Sequence, residues 1–402
     1  MYLDLPRRVN TASNSTPRRP ARRANCAAGY GTDYGTHTAL GRPNRARDNS
    51  PARSELRDAT IQNQLCHGDN RERDEDGDGG TMTEGHYSYL ITVKATVPSA
   101  PDYAEKFKIA RFQIRRGGNC PNTLEVLQQL LRKEQEQHQH QQQRGQVIIP
   151  YLISCLPAAG SPATHRIIES FGPDALVDIT KCIYRAEDNP ASSYIIRSES
   201  TGSRTLVNYN NLAEMTLDEF VEAVSDVGDG SWFHFEGRIP VTTLRCMSHL
   251  RRSTPNARIS VEVEKPGREG LEQLAAEADV VFYSRAWAES KGYQNAQQCL
   301  RAQSGVARRA SHLLCTWGSE GASSLSPASG NAVSCPATVP GQAIRVVDTV
   351  GAGDTFIAGV LFGLLCHPQD WDMETKVRFA VQLATSKVQQ EGLRDLAPSR
   401  DM

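Results

Sequence analysis

The 402-residue sequence has little of what marks several common classes of protein. Its ten cysteines include no C-x-x-C pair and no group with histidines at zinc-site spacing, which argues against a disulfide framework and favours reduced thiols in the cytoplasm. The longest apolar run, Phe356 to Cys366, is about half of the roughly 20 residues that cross a bilayer. Because the formal net charge is −1, neither sign is in excess to predict binding to nucleic acid or to a membrane.

The first 84 residues lack apolar periodicity. They are rich in Arg, Asn, Ser, Thr, Pro and Gly, and they end in an acidic tract at residues 71–78. Such a segment buries too little apolar surface to offset its ordering entropy, so we predict disorder over residues 1–84. Its early arginines, among them Arg7 and Arg8, leave open a basic arm or a mitochondrial presequence, but a solvated tail is the simpler interpretation.

Beyond this tail the composition changes, and we predict one domain over residues 85–397. VIIPYLISCLP predicts a strand. SWFHFEG, ARISVEVEK, DVVFYS and SHLLCTW are short β-rich runs, each followed by a stretch with helical spacing. This alternation predicts parallel strands with helices on both faces of one sheet. SSYIIRSES and RTLVNYN instead predict a hairpin, turned at Thr201-Gly202, that forms a small β appendage.

A glutamine-rich insert, residues 134–146, interrupts this domain after a leucine-bearing helix. Its composition predicts a solvated loop. Two interleaved histidines, His138 and His140, are too few to predict a metal site there.

The most informative stretch is VVDTVGAGDTFIAGVLFGLL, residues 346–365. IRVVDT predicts a strand and IAGVLFGLL an apolar helix, and Gly351-Ala352-Gly353-Asp354 joins them. Glycines allow backbone N–H groups to point into one small volume, and a helix N-terminus adds partial positive charge, so the turn predicts an anion hole suited to phosphate. It is neither a P-loop nor a dinucleotide-binding turn, because no Gly-Lys-Ser/Thr and no G-x-G-x-x-G is present.

Asp354 falls in the first turn of this predicted helix. An acid beside a phosphate site would repel the anion unless it served the reaction, for example as the general base that accepts a proton from a hydroxyl attacking a γ-phosphoryl group. The alternative is that Asp354 only caps the helix, which is worth about 0.5–2 kcal/mol. The turn by itself leaves both interpretations open.

The longer string Asp-Thr-x-Gly-Ala-Gly-Asp-Thr-Phe, residues 348–356, resembles the C-terminal signature of the ribokinase-like (PfkB) sugar kinases. The resemblance implies an anion hole formed by Gly351, Ala352 and Gly353 and a catalytic base at Asp354. It implies an α/β fold, a ribokinase-like three-layer α/β/α sandwich with a mostly parallel central sheet and a small β lid. It also implies ATP as phosphate donor, with Mg²⁺ carried by the nucleotide.

A Gly-Gly-Asn-x-x-Asn turn upstream agrees with this family. Its glycines permit close approach, and its amides both donate and accept hydrogen bonds, so the resemblance implies that Gly118, Asn119 and Asn122 bind sugar hydroxyls together with Asp354.

Two further segments imply nucleotide contacts. Arg204 matches an arginine that reaches ATP in the ketohexokinase branch of the family. The stretch from Thr316 resembles the Thr-x-Gly-x-x-Gly nucleotide loop, which implies contacts by Gly318, Ser319, Glu320 and Gly321 in addition to Gly351, Ala352 and Gly353.

The strings TGSRTLVNYNNLAEMTLDEF, WFHFEGR and ISVEVEKP also resemble the ketohexokinase branch. This similarity implies a ketose such as fructose as substrate. It further implies a homodimer that pairs through the β lid.

The sequence departs from the family in two places. The family's first strand ends in an acid that binds two sugar hydroxyls, whereas GHYSYLITVKATVP, residues 85–98, carries Ile91 there. Arg285-Ala286-Trp287-Ala288 replaces the Asn-x-x-Glu associated with Mg²⁺, so the metal ligands stay unknown. Three hypotheses follow: a ketose kinase, a PfkB kinase for another sugar or nucleoside, or a pseudokinase that binds without turnover. A fourth places the function in the N-terminal arm.

Overall fold

The computed structural model describes residues 1–4, 89–96, 108–140, 147–186, 189–198, 204–338 and 343–396. All of them belong to one compact unit. The predictions made for the arginine-rich arm and for the turn at Thr201-Gly202 lie outside these residues.

An eight-stranded sheet forms the centre of this unit. In spatial order its strands are β14 (Ala332–Cys335), β13 (Ala322–Leu325), β12 (His312–Thr316), β11 (Val280–Tyr283), β10 (Arg258–Val263), β9 (Trp232–Phe235), β1 (Tyr2–Asp4) and β4 (Ile149–Tyr151). The four strands β9 to β12 are mutually parallel, as predicted, and β1 and β13 run against the other strands.

Helices cover both faces of this sheet. In chain order they are α1 (Asn119–His140), α2 (Pro162–Glu169), α3 (Leu217–Ala223), α4 (Pro240–Ser253), α5 (Leu271–Glu277), α6 (Arg285–Ser290), α7 (Ala296–Gln303), α8 (Ala352–Cys366) and α9 (Met373–Val388). Alternate strand residues point to opposite faces. Phe282 and Leu314 therefore pack with α1, α8 and α9, while Val281 and Leu313 pack with α3 to α7. The predicted three-layer α/β/α sandwich is confirmed.

A separate four-stranded sheet, which we call the lid sheet, is built in the order β3 (Lys108–Arg115), β2 (Tyr89–Thr96), β7 (Ser192–Ser198) and β8 (Arg204–Tyr209). Strands β7 and β8 pair antiparallel from Ser192 opposite Tyr209, which confirms the predicted hairpin. A two-stranded sheet of β5 (Cys155–Leu156) and β6 (Ile183–Tyr184) completes the strands of the described residues.

The strand beside β9 in the central sheet is Tyr2–Asp4, not the stretch with Ile91. The prediction of disorder is therefore wrong for residues 1–4, because Met1 and Leu3 are buried in the core next to α1. YLITVKAT instead forms β2 of the lid sheet, so Ile91 does not occupy the end of a central strand.

Three local predictions are also wrong. IRVVDT is not a strand, because the N–H of Val347 donates to the carbonyl of Val388 at the end of α9 (2.7 Å) and not to a neighbouring strand. The first half of the predicted loop 134–146 is helical, since α1 runs to His140 through good helix formers. VIIPYLISCLP forms two short strands, β4 and β5.

Within the described ranges, no helix combines the length and the apolar character that crossing a membrane requires. The eight described cysteines are all free thiols, and seven of them are buried.

Helices α8 and α9 cross so closely that the contact depends on glycine. A Cβ atom at Gly359 would lie 2.8 Å from the Cα of Ala380. Gly359→Val should therefore lower the free energy of unfolding by about 1–3 kcal/mol, the usual cost of overpacking. Urea unfolding measures this, with Gly160→Val as a matched control because a Cβ at Gly160 has no neighbour within 4 Å. Equal losses in the two variants would contradict the close crossing.

Candidate active site

A cavity of about 550 Å³ opens where the carboxyl ends of β10, β11 and β12 meet the starts of α1 and α8. Its wall contains the predicted sugar turn (Gly118, Asn119, Asn122). It also contains Gly351, Gly353 and Asp354 of residues 348–354, which we call the phosphate turn. Ser193, Ile195 and Asn208 of the lid sheet also line it. Ligands bind at this edge of open parallel sheets, and the fold brings together there two turns that are far apart in sequence.

The phosphate turn enters α8 through a left-handed glycine. Gly351 has φ +81° and is the N-cap residue of the helix. The N–H of Ala352 donates to the carbonyl of Thr349 (3.2 Å). The N–H groups of Gly353 and Asp354, in the first helical turn, have no intrahelical acceptor, so they are the donors that this arrangement offers to an anion.

Asp354 is buried at the floor of the cavity, with 9% of its surface exposed. Its Oδ2 accepts a hydrogen bond from Nδ2 of Asn122 (2.8 Å). Burial raises the pKa of Asp354, and the charges of Glu264 and Glu236 raise it further, whereas the Asn122 hydrogen bond lowers it. The carboxyl group of Asp354 thus faces the cavity and accepts a hydrogen bond from α1. Capping of α8 requires neither feature.

Arg116 holds the other side of the Asn122 amide, a role that the sequence did not reveal. Its Nη1 donates to Oδ1 of Asn122 (3.2 Å), and the guanidinium pairs with Glu125 and lies over the ring of Phe171 (4.5 Å). Both ends of the Asn122 amide are thus bound by protein groups. Asn122 is bonded to Asp354 in the wall of the cavity, and its predicted contact with a sugar stays a prediction.

Asn119 faces two carboxylates from the end of β10. Its Nδ2 donates to Oε2 of Glu262 (2.7 Å) and to Oε2 of Glu264 (2.8 Å). An amide nitrogen has two hydrogens, so both are used, and its oxygen is left to accept a hydrogen bond from a hydroxyl. The sequence did not predict a role in the site for Glu262 and Glu264. Their position at the end of the strand in SVEVEK was the feature that could have indicated one.

A buried chain of hydrogen bonds that the sequence did not predict lies behind Glu262. His234 Nε2 lies 3.0 Å from Oε1 of Glu262, and its Nδ1 lies 2.9 Å from Oγ of Ser260. The same Oγ accepts a hydrogen bond from Nε1 of Trp232. Burial lowers the pKa of His234 to about 3, so the ring is neutral. Burial, with the charge of Asp354 as the next cause, raises the pKa of Glu262.

The predicted nucleotide residues lie partly beyond this cavity. Thr316 lines it, but residues 318–320 form an exposed 3-10 turn next to it. Arg285, which the sequence left unassigned, lies over Trp317 (5.6 Å) and close to Gly318. Arg204 begins β8, and its side chain lies outside the described part of the chain, so its predicted role stays untested.

Comparison with known proteins decides the family. The chain matches the pfkB family of carbohydrate kinases over residues 88–400, more than half of its length. The chain belongs to the pfkB carbohydrate kinase family. It is 33% identical to mouse ketohexokinase over 223 residues, 54% of this chain and 72% of the mouse protein. It is 36% identical to a fructokinase of Rhizobium leguminosarum bv. trifolii over 27% of this chain and 32% of that protein.

Solved structures agree on the fold of this pfkB kinase. Arabidopsis thaliana ribokinase, solved in complex with ribose and ATP, superposes with a TM-score of 0.58 at 18% identity, covering 78% of this chain and 94% of the ribokinase. The nucleoside kinase of Methanocaldococcus jannaschii gives 0.54 at 17% identity, over 80% and 96% of the two chains. The family makes the chain an ATP-dependent sugar kinase.

One group of potential metal ligands lies beneath the sugar turn of this kinase, among the residues that the structure describes. Atoms of Cys120, His234 and Glu262 lie within 4.8 Å of one another. Burial raises the pKa of the Cys120 thiol to about 12, and both ring nitrogens of His234 already have hydrogen-bond partners. Hydrogen bonding accounts for the cluster, and we assign no metal to it.

The raised pKa of Asp354 predicts a pH-dependent cost. The folded state binds the extra proton between the unfolded and folded pKa values, so the stability that this group contributes falls as pH rises through that window. Asp354→Asn should therefore gain stability over the parent between pH 5 and pH 8, by more than about 1.4 kcal/mol, the equivalent of one pKa unit.

Urea unfolding of parent and variant at both pH values measures this difference. Asp218→Asn is the matched control, because Asp218 also lies in the first turn of a helix but is exposed. A stability difference between Asp354→Asn and the parent that does not change with pH would show that the carboxyl ionises normally.

Proposed function

We propose that this kinase transfers the γ-phosphoryl group of ATP to a hydroxyl of a ketose such as fructose, with Asp354 as the general base. The observation that carries the proposal is the Asn122–Asp354 hydrogen bond of 2.8 Å, which holds a buried carboxyl between the phosphate turn and the sugar turn. Similarity to ketohexokinase and fructokinase supports a ketose as acceptor.

In the proposed reaction, a sugar hydroxyl lies between Asp354 and the γ-phosphorus. The hydroxyl oxygen forms a bond to phosphorus as the bond to the β,γ-bridging oxygen breaks, in line, and ADP leaves. The hydroxyl proton passes to Asp354. A carboxylate whose pKa is raised is a stronger base than an ordinary aspartate, which favours its acceptance of the hydroxyl proton.

Backbone amides at the start of α8 stabilise the charge on the transferred group. The proposed anion hole is Gly351, Ala352 and Gly353. The N–H of Gly353 is directly available, whereas the N–H of Ala352 must first release the carbonyl of Thr349. The N–H of Gly353 is held in place by the start of α8 and does not have to reorganise during the reaction, which is what makes such a group effective.

The sugar is held on the opposite wall. Asn119 accepts from one hydroxyl, and Glu262 and Glu264, which fix its amide, supply carboxylate oxygens for others. Gly118 allows the ring to approach the backbone. We assign ATP to Arg204 and to the loop Gly318, Ser319, Glu320 and Gly321, with Mg²⁺ entering on the nucleotide. The lid sheet, whose Ser193 and Asn208 face the cavity, excludes water from the transfer.

Asp354→Asn tests the base. Removing the proton acceptor while keeping the shape should lower kcat for fructose phosphorylation by about 10²–10⁴-fold and leave nucleotide affinity within a few fold. A coupled assay of ADP release gives kcat, and calorimetry gives the affinity. Asp218→Asn serves as control and should retain full activity. An Asp354→Asn enzyme that turns over at the parental rate would leave the carboxyl with a structural role only.

A panel of possible acceptors tests which substrate the kinase phosphorylates. ADP release measured with fructose, ribose, adenosine and other sugars distinguishes a ketose kinase from a pfkB kinase with another substrate. A pseudokinase, the hypothesis that the sequence raises at Ile91, predicts binding without turnover on every compound. Robust Mg·ATP-dependent phosphorylation of any of them eliminates it.

We also propose that the chain forms a homodimer through the lid sheet. The residues that alternate with the cavity-facing ones are apolar yet exposed: Ile114, Tyr194, Ile196, Val207 and Tyr209. An exposed apolar row on one face of a small sheet favours a protein partner, and a second copy of the chain fits the resemblance to the ketohexokinase branch. A cytoplasmic location stays a prediction from the free thiols.

Paired charges should separate such a dimer. Ile196→Glu combined with Val207→Glu would bury four like charges at the interface, so the species seen by analytical ultracentrifugation at micromolar concentration should halve in mass. Val241→Glu, at an exposed position on α4, is the control and should leave the mass unchanged. A parent chain that sediments as a monomer overturns the proposal.

A further inference from the structure

We infer that Lys387 is a positioning residue whose ammonium group fixes the phosphate turn, residues 348–354, for phosphoryl transfer. The inference rests on the proposed function of that turn. Lys387 lies in the last turn of α9, and none of its surface is exposed. A fully buried lysine is rare and needs partners for its charge.

Protein oxygens supply those partners. Nζ of Lys387 donates to the carbonyl oxygen of Asp348 (3.0 Å), to Oδ2 of Asp348 (3.2 Å) and to the carbonyl oxygen of Gln390 (3.4 Å). An ammonium group has three hydrogens, and three oxygens receive them. Burial lowers the pKa of Lys387 while the charge of Asp348 opposes that effect. Two of the three contacts are made to one residue, the first of the phosphate turn.

The side chain of Asp348 in turn binds the backbone of the phosphate turn. Its Oδ1 accepts from the N–H of Val350 (3.1 Å), and its Oδ2 accepts from the N–H of Gly392 (3.4 Å). The N–H groups of Val347 and Asp348 both donate to the carbonyl of Val388, the residue after Lys387. This segment belongs to no strand of the described sheets, so its position depends on α9 and on the lysine.

The lid sheet reaches the same carboxylate. Arg115, the last residue of β3, donates from Nη1 to Oδ2 of Asp348 (3.0 Å). Arg115 is partly exposed, with 27% of its side-chain surface accessible, whereas Lys387 is enclosed. Lys387 is therefore the fixed charge of the pair, and Arg115 is the contact through which β3 is joined to the phosphate turn.

Lys387→Met tests this role, because it keeps the length and volume of the side chain and removes the charge. A donor displaced by about 1 Å can cost on the order of 100-fold in rate, so kcat should fall by about 10–100-fold while KM for the sugar stays within about threefold. Lys376→Met is the matched control: Lys376 is also buried on α9, but its ammonium bonds the carbonyl of Trp371, away from the cavity. It should keep the parental kcat.

Chemical rescue separates positioning from simple packing. Lys387→Ala leaves a space of the size of propylammonium, with the oxygens of Asp348 and Gln390 as hydrogen-bond acceptors. Added propylammonium should raise its kcat at least fivefold, whereas tetramethylammonium, a cation without N–H donors, should not. No such rescue is expected for Lys376→Ala.

Hydrogen–deuterium exchange gives a readout that does not need turnover. In Lys387→Met the amides of Val350 and Ala352, which the turn protects, should exchange at least tenfold faster, with β10 and β11 unchanged. If the parent phosphorylates no acceptor, the proposed function fails, yet the exchange result still decides the role of Lys387. Parental kcat in Lys387→Met, absence of propylammonium rescue, or faster exchange spread over the whole sheet would each overturn the inference.

Discussion

The crowding of carboxyl groups at one edge of the sheet is the constraint on which the site depends. Asp354 and Glu262 are both buried, and each carries a raised pKa whose largest cause is burial. Glu264 and Glu236 add negative charge to both of them. Like charges that are buried close together resist simultaneous ionisation, so this cluster of carboxyl groups favours bound protons.

The fold offsets this concentration of acid with amides and helix ends. Asn122 and Asn119 lie one turn apart at the start of α1. Asn122 donates to Asp354, and Asn119 donates to Glu262 and Glu264. The N-termini of α1 and α8 both lie at the cavity, and helix N-termini favour negative charge. Thr123 links the two helices by donating to the carbonyl of Asp354 (3.3 Å). The close crossing of α8 and α9 at Gly359 then ties this pair to the rest of the layer.

Sequence predicted the parts of this structure that depend on local pattern. Strands β9 to β12 and the hairpin β7–β8 have continuous or alternating apolar patterns, and the phosphate turn has a long signature. The strand Tyr2–Asp4 was missed because three residues are too few to show an apolar period. Its place in the sheet is set by pairing with β9 and β4, which are distant in sequence. The strand predicted for IRVVDT is absent for a related reason. Its β-branched residues favour a strand, but the N–H groups of Val347 and Asp348 donate to the carbonyl of Val388 at the end of α9. His234 and Lys387 were missed because their roles are set by Glu262 and Asp348, which are distant in sequence.

Two aspartates of one short signature end in opposite electrostatic states. Asp348 accepts hydrogen bonds from two backbone N–H groups and from Arg115 and Lys387, and its pKa is lowered although burial alone would raise it. Asp354 has one amide donor and several acidic neighbours, and its pKa is raised. An aspartate that stays ionised serves as a fixed anchor, whereas one that exchanges its proton near neutral pH can serve as a base. The signature repeats one residue type six positions apart, and the surrounding fold shifts the pKa values of the two carboxyl groups in opposite directions.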